Sequence, residues 1–273
     1  MAALLLAGCS SDGVDGTGGA GPGAPAGSSS RPAGPTEDAT GEPSGRSLPL
    51  AGRVVVLDPG HQLGNRNHSA QIRRSVDAGG FEKDCNTTGT ASAAGLPEAT
   101  FTWRVAVAAR DRLRALGARV LLTRSSDSDD EWGPCIDERG RIGNPGEPGP
   151  TADVRVSIHA DGVLAAGARG FHVIRPGRLA GWNDDIAGPS RRLAAALRDA
   201  LVAAGFDPST YRGRRGIDVR SDLGTLNHSD VPAVMAELGN MRDRREAAVM
   251  AGPGGQGRYA RAIAAAVRAY LER

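Results

Sequence analysis

Short apolar runs recur along residues 48–273, and longer stretches between them carry apolar residues at every third or fourth position. The short runs are typical of buried strands, and the longer spacing is typical of amphipathic helices. The runs predict five strands, at Arg53–Leu57, Arg119–Thr123, Val154–His159, Gly170–Ile174 and Ala233–Glu237.

The helical spacing is clearest in three segments. Glu98–Leu116 begins after Pro97 and ends before Gly117, and both residue types are common at those helix boundaries. Pro189–Ala204 carries leucines four positions apart, and Gly257–Leu271 follows near the end of the chain. Because strands and helices alternate, we expect one α/β domain over residues 48–273: a three-layer sandwich with a mostly parallel (mixed) central sheet flanked by helices.

The preceding residues show neither pattern. Residues 10–47 are dominated by Gly, Pro, Ser, Ala and Thr, a composition that buries too little apolar surface to offset the entropy of ordering, so we predict a disordered linker. Residues 1–9 form a short apolar run that ends at Cys9. This run resembles the lipobox of bacterial lipoproteins, in which the signal is removed and the cysteine is lipidated. A frayed apolar N-terminus with an incidental cysteine is the alternative.

Charge and hydropathy narrow the classes of function. The chain of 273 residues has 33 Lys plus Arg against 31 Asp plus Glu, a formal net charge of +2. This near balance argues against nucleic acid as a partner. No apolar run approaches the roughly 18 residues that a membrane-spanning helix needs, so membrane contact is expected only through a lipid anchor.

Four chemically capable residues stand at the ends of predicted elements. His61 follows the first strand, His159 ends the third, Glu98 opens the long helix and Glu237 ends the last strand. Ligands of such sheets bind outside the carboxyl ends of the strands. Two imidazoles and one carboxylate with an open position are the usual ligands of a catalytic zinc, and a second carboxylate can act as general base. Taken singly, Glu98 could simply stabilise a helix N-terminus, and either histidine could be an ordinary loop residue. The combination of these residues favours a metal site.

The motifs around these residues resemble those of the zinc-dependent N-acetylmuramoyl-L-alanine amidases of the amidase-3 type, which cut bacterial peptidoglycan. The matching segments are residues 56–61, 122–124, 153–161 and 232–240, in the family's order. The resemblance implies a zinc-exopeptidase-like fold, an exported enzyme, and a peptidoglycan or muropeptide substrate.

The resemblance also implies roles for individual residues. One Zn²⁺ per chain would be bound by His61, Glu98 and His159, and Glu237 would be the catalytic carboxylate that takes the proton of the attacking water. Glu82 competes with Glu98 as the third ligand. We prefer Glu98 because it opens the helix on which the family's glutamate normally lies.

The implied reaction is hydrolysis of the amide bond between N-acetylmuramic acid and L-alanine. A zinc carboxypeptidase acting on the stem peptide is the alternative, although the residues after His61 disfavour it because they lack a His-x-x-Glu pattern. A non-catalytic wall-binding module is a third hypothesis, which the intact Glu237 disfavours. We expect a monomer at the outer face of the cytoplasmic membrane as a lipoprotein, or secreted to the cell wall.

The two remaining cysteines and the arginine-rich stretch complete the expectations. Cys85 and Cys135 lie in segments that resemble actinobacterial members of the family, which implies a disulfide between them. Residues 212–220 are expected to form a solvated loop, from which Arg220, together with Asn240, is a candidate for a substrate groove that holds the acidic stem peptide. Other histidines fit no ligand position, and His172 is expected at the surface or beside the site.

Overall fold

The computed structural model describes residues 47–273. Cys9, the signal and almost all of the predicted linker lie outside the described residues, so they stay predictions. The strands are β1 (Val54–Pro59), β2 (Ser75–Asp77), β3 (Glu82–Asp84), β4 (Arg119–Leu122), β5 (Val154–Asp161), β6 (His172–Pro176), β7 (Ile217–Arg220) and β8 (Ala233–Asn240). The helices are α1 (Ser69–Ile72), α2 (Glu98–Ala115), α3 (Ile136–Arg141), α4 (Ala187–Ala203), α5 (Gly224–Asn227), α6 (Arg244–Ala251) and α7 (Pro253–Leu271), with a 3₁₀ turn at Leu63–Asn67.

Six strands form the central sheet in the order β4-β1-β5-β8-β6-β7. All neighbouring strands run parallel except β6 and β8, which are antiparallel. The remaining two strands, β2 and β3, form a separate antiparallel hairpin. The expected mixed, mostly parallel sheet is therefore confirmed.

The two faces of the sheet are covered differently. Side chains alternate between faces along a strand, so Val55 and Leu57 of β1 enter one core while Val56 enters another. The larger core packs the sheet against α2, α4 and α7, whose apolar stripes supply nearly half of its members. The opposite face is covered by shorter elements such as α5, which contributes Leu226. Two helical layers around one sheet form the predicted three-layer arrangement.

The alternation also decides which polar side chains share a face. Along β5 the even positions, such as Val156 and Ile158, enter the larger core. The odd positions, which include His159, therefore lie on the opposite face, and by the same rule so does Glu237 of β8. The sheet thus brings a histidine and a glutamate that are far apart in sequence to one face, in neighbouring strands.

Several elements differ from the sequence prediction. The stretch 212–220 is not entirely a loop, because Ile217–Arg220 pairs with β6 as the edge strand β7. An edge strand needs no continuous apolar run, and β7 has only partly buried or exposed residues. Helix α7 begins at Pro253 rather than Gly257, since proline is well suited to a first helical turn. Within the described residues, no helix is both long enough and apolar enough to cross a membrane.

Candidate metal centre and cavity

Three side chains converge at the carboxyl end of the sheet. One nitrogen of His61, one nitrogen of His159 and one oxygen of Glu98 all lie within 4.8 Å of one another. Glu98 Oε1 is 3.0 Å from His61 Nε2 and 3.0 Å from His159 Nδ1. The two rings meet edge to face, with centroids 4.9 Å apart. The structure therefore brings together the three residues predicted as ligands.

The local backbone explains how the two imidazoles come so close. His61 follows β1 with a φ of 59°, a left-handed conformation that is unusual for a residue with a side chain. Gly60 precedes it, and a Cβ placed on this glycine would lie 2.3 Å from Cε1 of His159. The glycine therefore leaves the space that the His159 ring occupies beside His61.

Hydrogen bonds fix the orientation of His61 and Glu98. His61 Nδ1 is 3.1 Å from the carbonyl oxygen of Thr87, and since a carbonyl only accepts, Nδ1 carries the proton. Glu98 Oε2 accepts from the backbone N–H of Thr90 at 2.9 Å, and Oε1 accepts from that of Ala160 at 3.1 Å. The Nε2 atom of His61 and the Oε1 atom of Glu98 consequently face the shared centre.

Charge interactions shift the pKa of both groups. Burial lowers the pKa of His61, but the Glu98 carboxylate and its hydrogen bond outweigh burial and raise this pKa above its usual value. Burial raises the pKa of Glu98, but the two histidines outweigh burial and hold this pKa well below its usual value. Glu98 is therefore ionised, as a metal ligand must be.

The donor set fits a zinc ion. Two imidazole nitrogens and one carboxylate oxygen are the protein ligands of many catalytic zinc sites, which keep a fourth position open. The second nitrogen of His61 is already satisfied by Thr87, which fixes the tautomer that presents Nε2. His61, Glu98 and His159 also line a cavity of about 570 Å³, so the centre is open to a substrate.

Glu237 faces the same cavity from β8. Its Oε2 atom is buried and has no hydrogen-bond partner among the described residues. Burial and the nearby negative charges of Asp161 and Glu98 raise its pKa well above the usual value. Arg220 and Arg212 act in the opposite direction, but their effect is smaller. A buried carboxylate with a raised pKa and a free oxygen is suited to accept a proton.

A buried charged network supports the floor of the site. Asp58 Oδ1 accepts from Arg139 Nη1 at 2.7 Å and from Thr123 Oγ1 at 2.6 Å, and Asp58 Oδ2 accepts from Ser157 Oγ. Burial raises the pKa of Asp58, but Arg139 and these hydroxyls outweigh burial and hold the pKa well below its usual value. Arg139 also donates to the carbonyl oxygen of His61 at 2.6 Å, so the network reaches a predicted ligand.

The other candidates fall in different places. Glu82 lies exposed on β3 and accepts from Ser75 Oγ at 2.8 Å, away from the metal group. Arg220 lines the cavity, where it forms an ion pair of 2.7 Å with Asp222. Asn240, predicted as a groove residue, is instead buried. Its side chain is bonded to the backbone of Val163, Ala168 and Arg242, which leaves it no donor or acceptor to offer a substrate.

The sulfurs of Cys85 and Cys135 are bonded at 2.07 Å. His172 is not at the surface: it is buried on β6, directly opposite Glu237 of β8. Burial lowers its pKa, and its Nδ1 lies 3.6 Å from Asp161 Oδ2. His172 therefore lies beside the site, which was one of the two places expected for it.

The sequence did not single out the residues that orient the predicted ligands. Thr87 and Arg139 contact His61, and Thr90 contacts Glu98. Thr87 and Thr90 lie in the cysteine-containing segment that carries the actinobacterial resemblance, which was a usable signal. Arg139 follows no strand and belongs to none of the matched motifs, so the sequence offered no sign of its role.

Comparisons with known proteins agree with this geometry. The sequence model of the Amidase_3 family, described as N-acetylmuramoyl-L-alanine amidase, matches residues 55–269. The N-acetylmuramoyl-L-alanine amidase Rv3717 of Mycobacterium tuberculosis is 40% identical over 223 residues, which cover 81% of this chain and 88% of that protein.

Solved structures give the same result. The apo form of the N-acetylmuramyl-L-alanine amidase Ami1 from Mycobacterium abscessus superimposes with a TM-score of 0.74 and 43% identity, covering 81% of this chain and 100% of that one. Ami1 from Mycobacterium smegmatis also gives a TM-score of 0.74, at 39% identity, covering 81% of this chain and 98% of that one.

Proposed function

The chain belongs to the Amidase_3 family of N-acetylmuramoyl-L-alanine amidases, and from this premise we propose that it cleaves peptidoglycan with a zinc ion held by His61, Glu98 and His159. The observation that carries the proposal is the convergence of these three ligand atoms within 4.8 Å, at the wall of a cavity that Glu237 also lines. Zinc supplies Lewis-acid activation of water and of the scissile carbonyl group.

The residues of the chain supply the proton transfers. Glu237 Oε2 has no partner among the described residues and can accept the proton of the attacking water. The same carboxyl group then returns this proton to the nitrogen of the departing L-alanine, so that one residue serves first as base and then as acid. The burial that raises the pKa of Glu237 makes it a stronger base than an exposed carboxylate.

We propose that the part of the cavity wall that carries Arg220 and Lys83 holds the stem peptide. Both residues line the cavity, and both are bonded to Asp222, which keeps their side chains in place. A carboxylate of the acidic stem peptide would be attracted to these two cations.

Exported location fits this substrate. Cell-wall action requires the enzyme outside the cytoplasm, and a Cys85–Cys135 disulfide persists in oxidising compartments. We also propose that Cys9 is lipidated, that residues 10–47 form a linker, that residues 48–273 form the catalytic domain, and that the protein is a monomer.

Metal removal tests the proposed centre. Dialysis against a chelator is expected to abolish amidase activity, and addition of one equivalent of Zn²⁺ per chain is expected to restore it. Variant His159→Ala should gain no activity from the same zinc addition, because it lacks one of the three ligands. Metal analysis of the purified protein gives the stoichiometry. Full activity after verified metal removal would exclude a zinc mechanism.

A further inference from the structure

The Cys85–Cys135 bond joins a loop to the start of helix α3, and both of these segments hold His61. Thr87 lies two residues after Cys85, and its carbonyl oxygen and hydroxyl oxygen are 3.1 and 3.2 Å from His61 Nδ1. Arg139 lies four residues after Cys135 and donates to the carbonyl oxygen of His61 at 2.6 Å. The loop after Cys85 therefore orients the imidazole ring, and helix α3 fixes the backbone of the same residue.

Further hydrogen bonds tie the two segments together next to the disulfide. Asn86 Nδ2 donates to the carbonyl oxygen of Pro134 at 2.7 Å. The backbone N–H of Ile136 donates to the carbonyl oxygen of Cys85 at 2.8 Å. The buried Asn65 connects both segments as well. Its Nδ2 donates to the Thr87 carbonyl oxygen at 2.8 Å, and its Oδ1 accepts from the Gly133 N–H at 2.9 Å.

We propose that Thr87 is a positioning residue for His61 and that the Cys85–Cys135 bond holds Thr87 in place, so that the zinc affinity of the site depends on this disulfide. The inference rests on the proposed function, since it takes His61 as a zinc ligand. It extends that function by connecting a covalent bond outside the ligand set to the strength of metal binding.

The backbone of His61 shows why such support is needed. With a φ of 59°, His61 adopts a conformation that a non-glycine residue keeps only when its surroundings enforce it. The Thr87 carbonyl in addition selects the tautomer that presents Nε2 to the metal. Loss of an outer partner of this kind typically weakens metal binding by about 10- to 100-fold.

The test compares zinc affinity in the wild type and in a Cys85→Ser, Cys135→Ser double variant, by competition with a chromophoric chelator. We expect the double variant to bind zinc about 10- to 100-fold more weakly. We also expect an altered absorption spectrum of the Co²⁺-substituted site, which reports ligand geometry directly. Circular dichroism identifies the temperatures at which each protein is folded.

Further variants keep the inference falsifiable. Leu201→Ala destabilises the core packed by α4, remote from the site, and should leave zinc affinity unchanged. Should the cysteine variant not fold, Thr87→Val decides: it keeps the disulfide and the backbone carbonyl but removes the hydroxyl contact with His61 Nδ1, so it should weaken zinc binding. Thr87→Ser keeps this hydroxyl and should bind zinc like the wild type. Any of three results would overturn the inference. They are equal zinc affinity in the wild type and the cysteine variant, a loss of zinc affinity in Leu201→Ala as large as in the cysteine variant, or unchanged zinc affinity in Thr87→Val. A wild type that binds no zinc would instead overturn the proposed metal centre.

Discussion

The Glu237→Gln variant is expected to hydrolyse peptidoglycan about 10²- to 10⁴-fold more slowly than the wild type while it binds zinc with unchanged stoichiometry. Glutamine keeps the size of the side chain but cannot take the proton of the attacking water. Glu237 is outside the group of His61, Glu98 and His159, so the substitution leaves all three ligand atoms in place. Release of stem peptide measures the rate, and metal analysis measures the zinc.

The matched control is Glu82→Gln, which removes an exposed carboxylate on β3 that lies apart from the metal group. This variant should retain wild-type activity and zinc content. An active Glu237→Gln variant would refute the proton-transfer role. A Glu82→Gln variant without zinc would refute the ligand set.

The Arg139→Met variant is expected to lose about 3–5 kcal/mol in the free energy of unfolding, because it leaves Asp58 buried without its charged partner. Asp58 is 1% exposed and forms a 2.7 Å ion pair with Arg139, and both residues line the cavity. Denaturant unfolding with the disulfide intact measures the loss. Zinc affinity should fall as well, since Arg139 also holds the carbonyl oxygen of His61.

The control for this prediction lies two residues along the same helix. Arg141 pairs with Asp137 at 2.9 Å but is 39% exposed, so Arg141→Met should cost less than about 1 kcal/mol. Equal losses in the two variants would contradict the assignment of stability to burial of the Asp58–Arg139 pair.

Acid sensitivity follows from the same pair. The pKa of Asp58 is lower in the folded protein than its usual value of 3.8, so its ionised form contributes stability that is fully present above that value. This contribution is lost as the pH falls below 3.8 toward the folded-state pKa. In Arg139→Met the contribution should shrink, so the variant should lose less stability than the wild type over this acid range.

The residues that could be predicted are those whose role is indicated by the sequence immediately around them. His61 and His159 follow or end apolar runs, and a parallel sheet places the carboxyl ends of its strands together. The strand that ends at Glu237 was recognisable for the same reason. These signals predicted the edge of the sheet at which the structure brings His61, Glu98 and His159 together.

The residues that could not be predicted depend on contacts between distant segments. Asn240 has the same residue type whether it binds substrate or braces a loop, and only its buried backbone partners separate the two roles. Glu82 and Glu98 both follow His61 in an irregular stretch, so spacing alone did not decide which of the two is the third metal ligand. Arg139 reaches His61 across 78 positions of sequence, a separation that no motif spans.

The most direct test of the central claim is mass spectrometry of muropeptides after incubation with the zinc-loaded enzyme. Cleavage between N-acetylmuramic acid and L-alanine predicts free stem peptides with an intact N-terminal alanine, together with glycans that carry no peptide. Stem peptides shortened at their carboxyl end but still attached to the glycan would contradict the claim and show a carboxypeptidase. Unchanged muropeptides would contradict it as well.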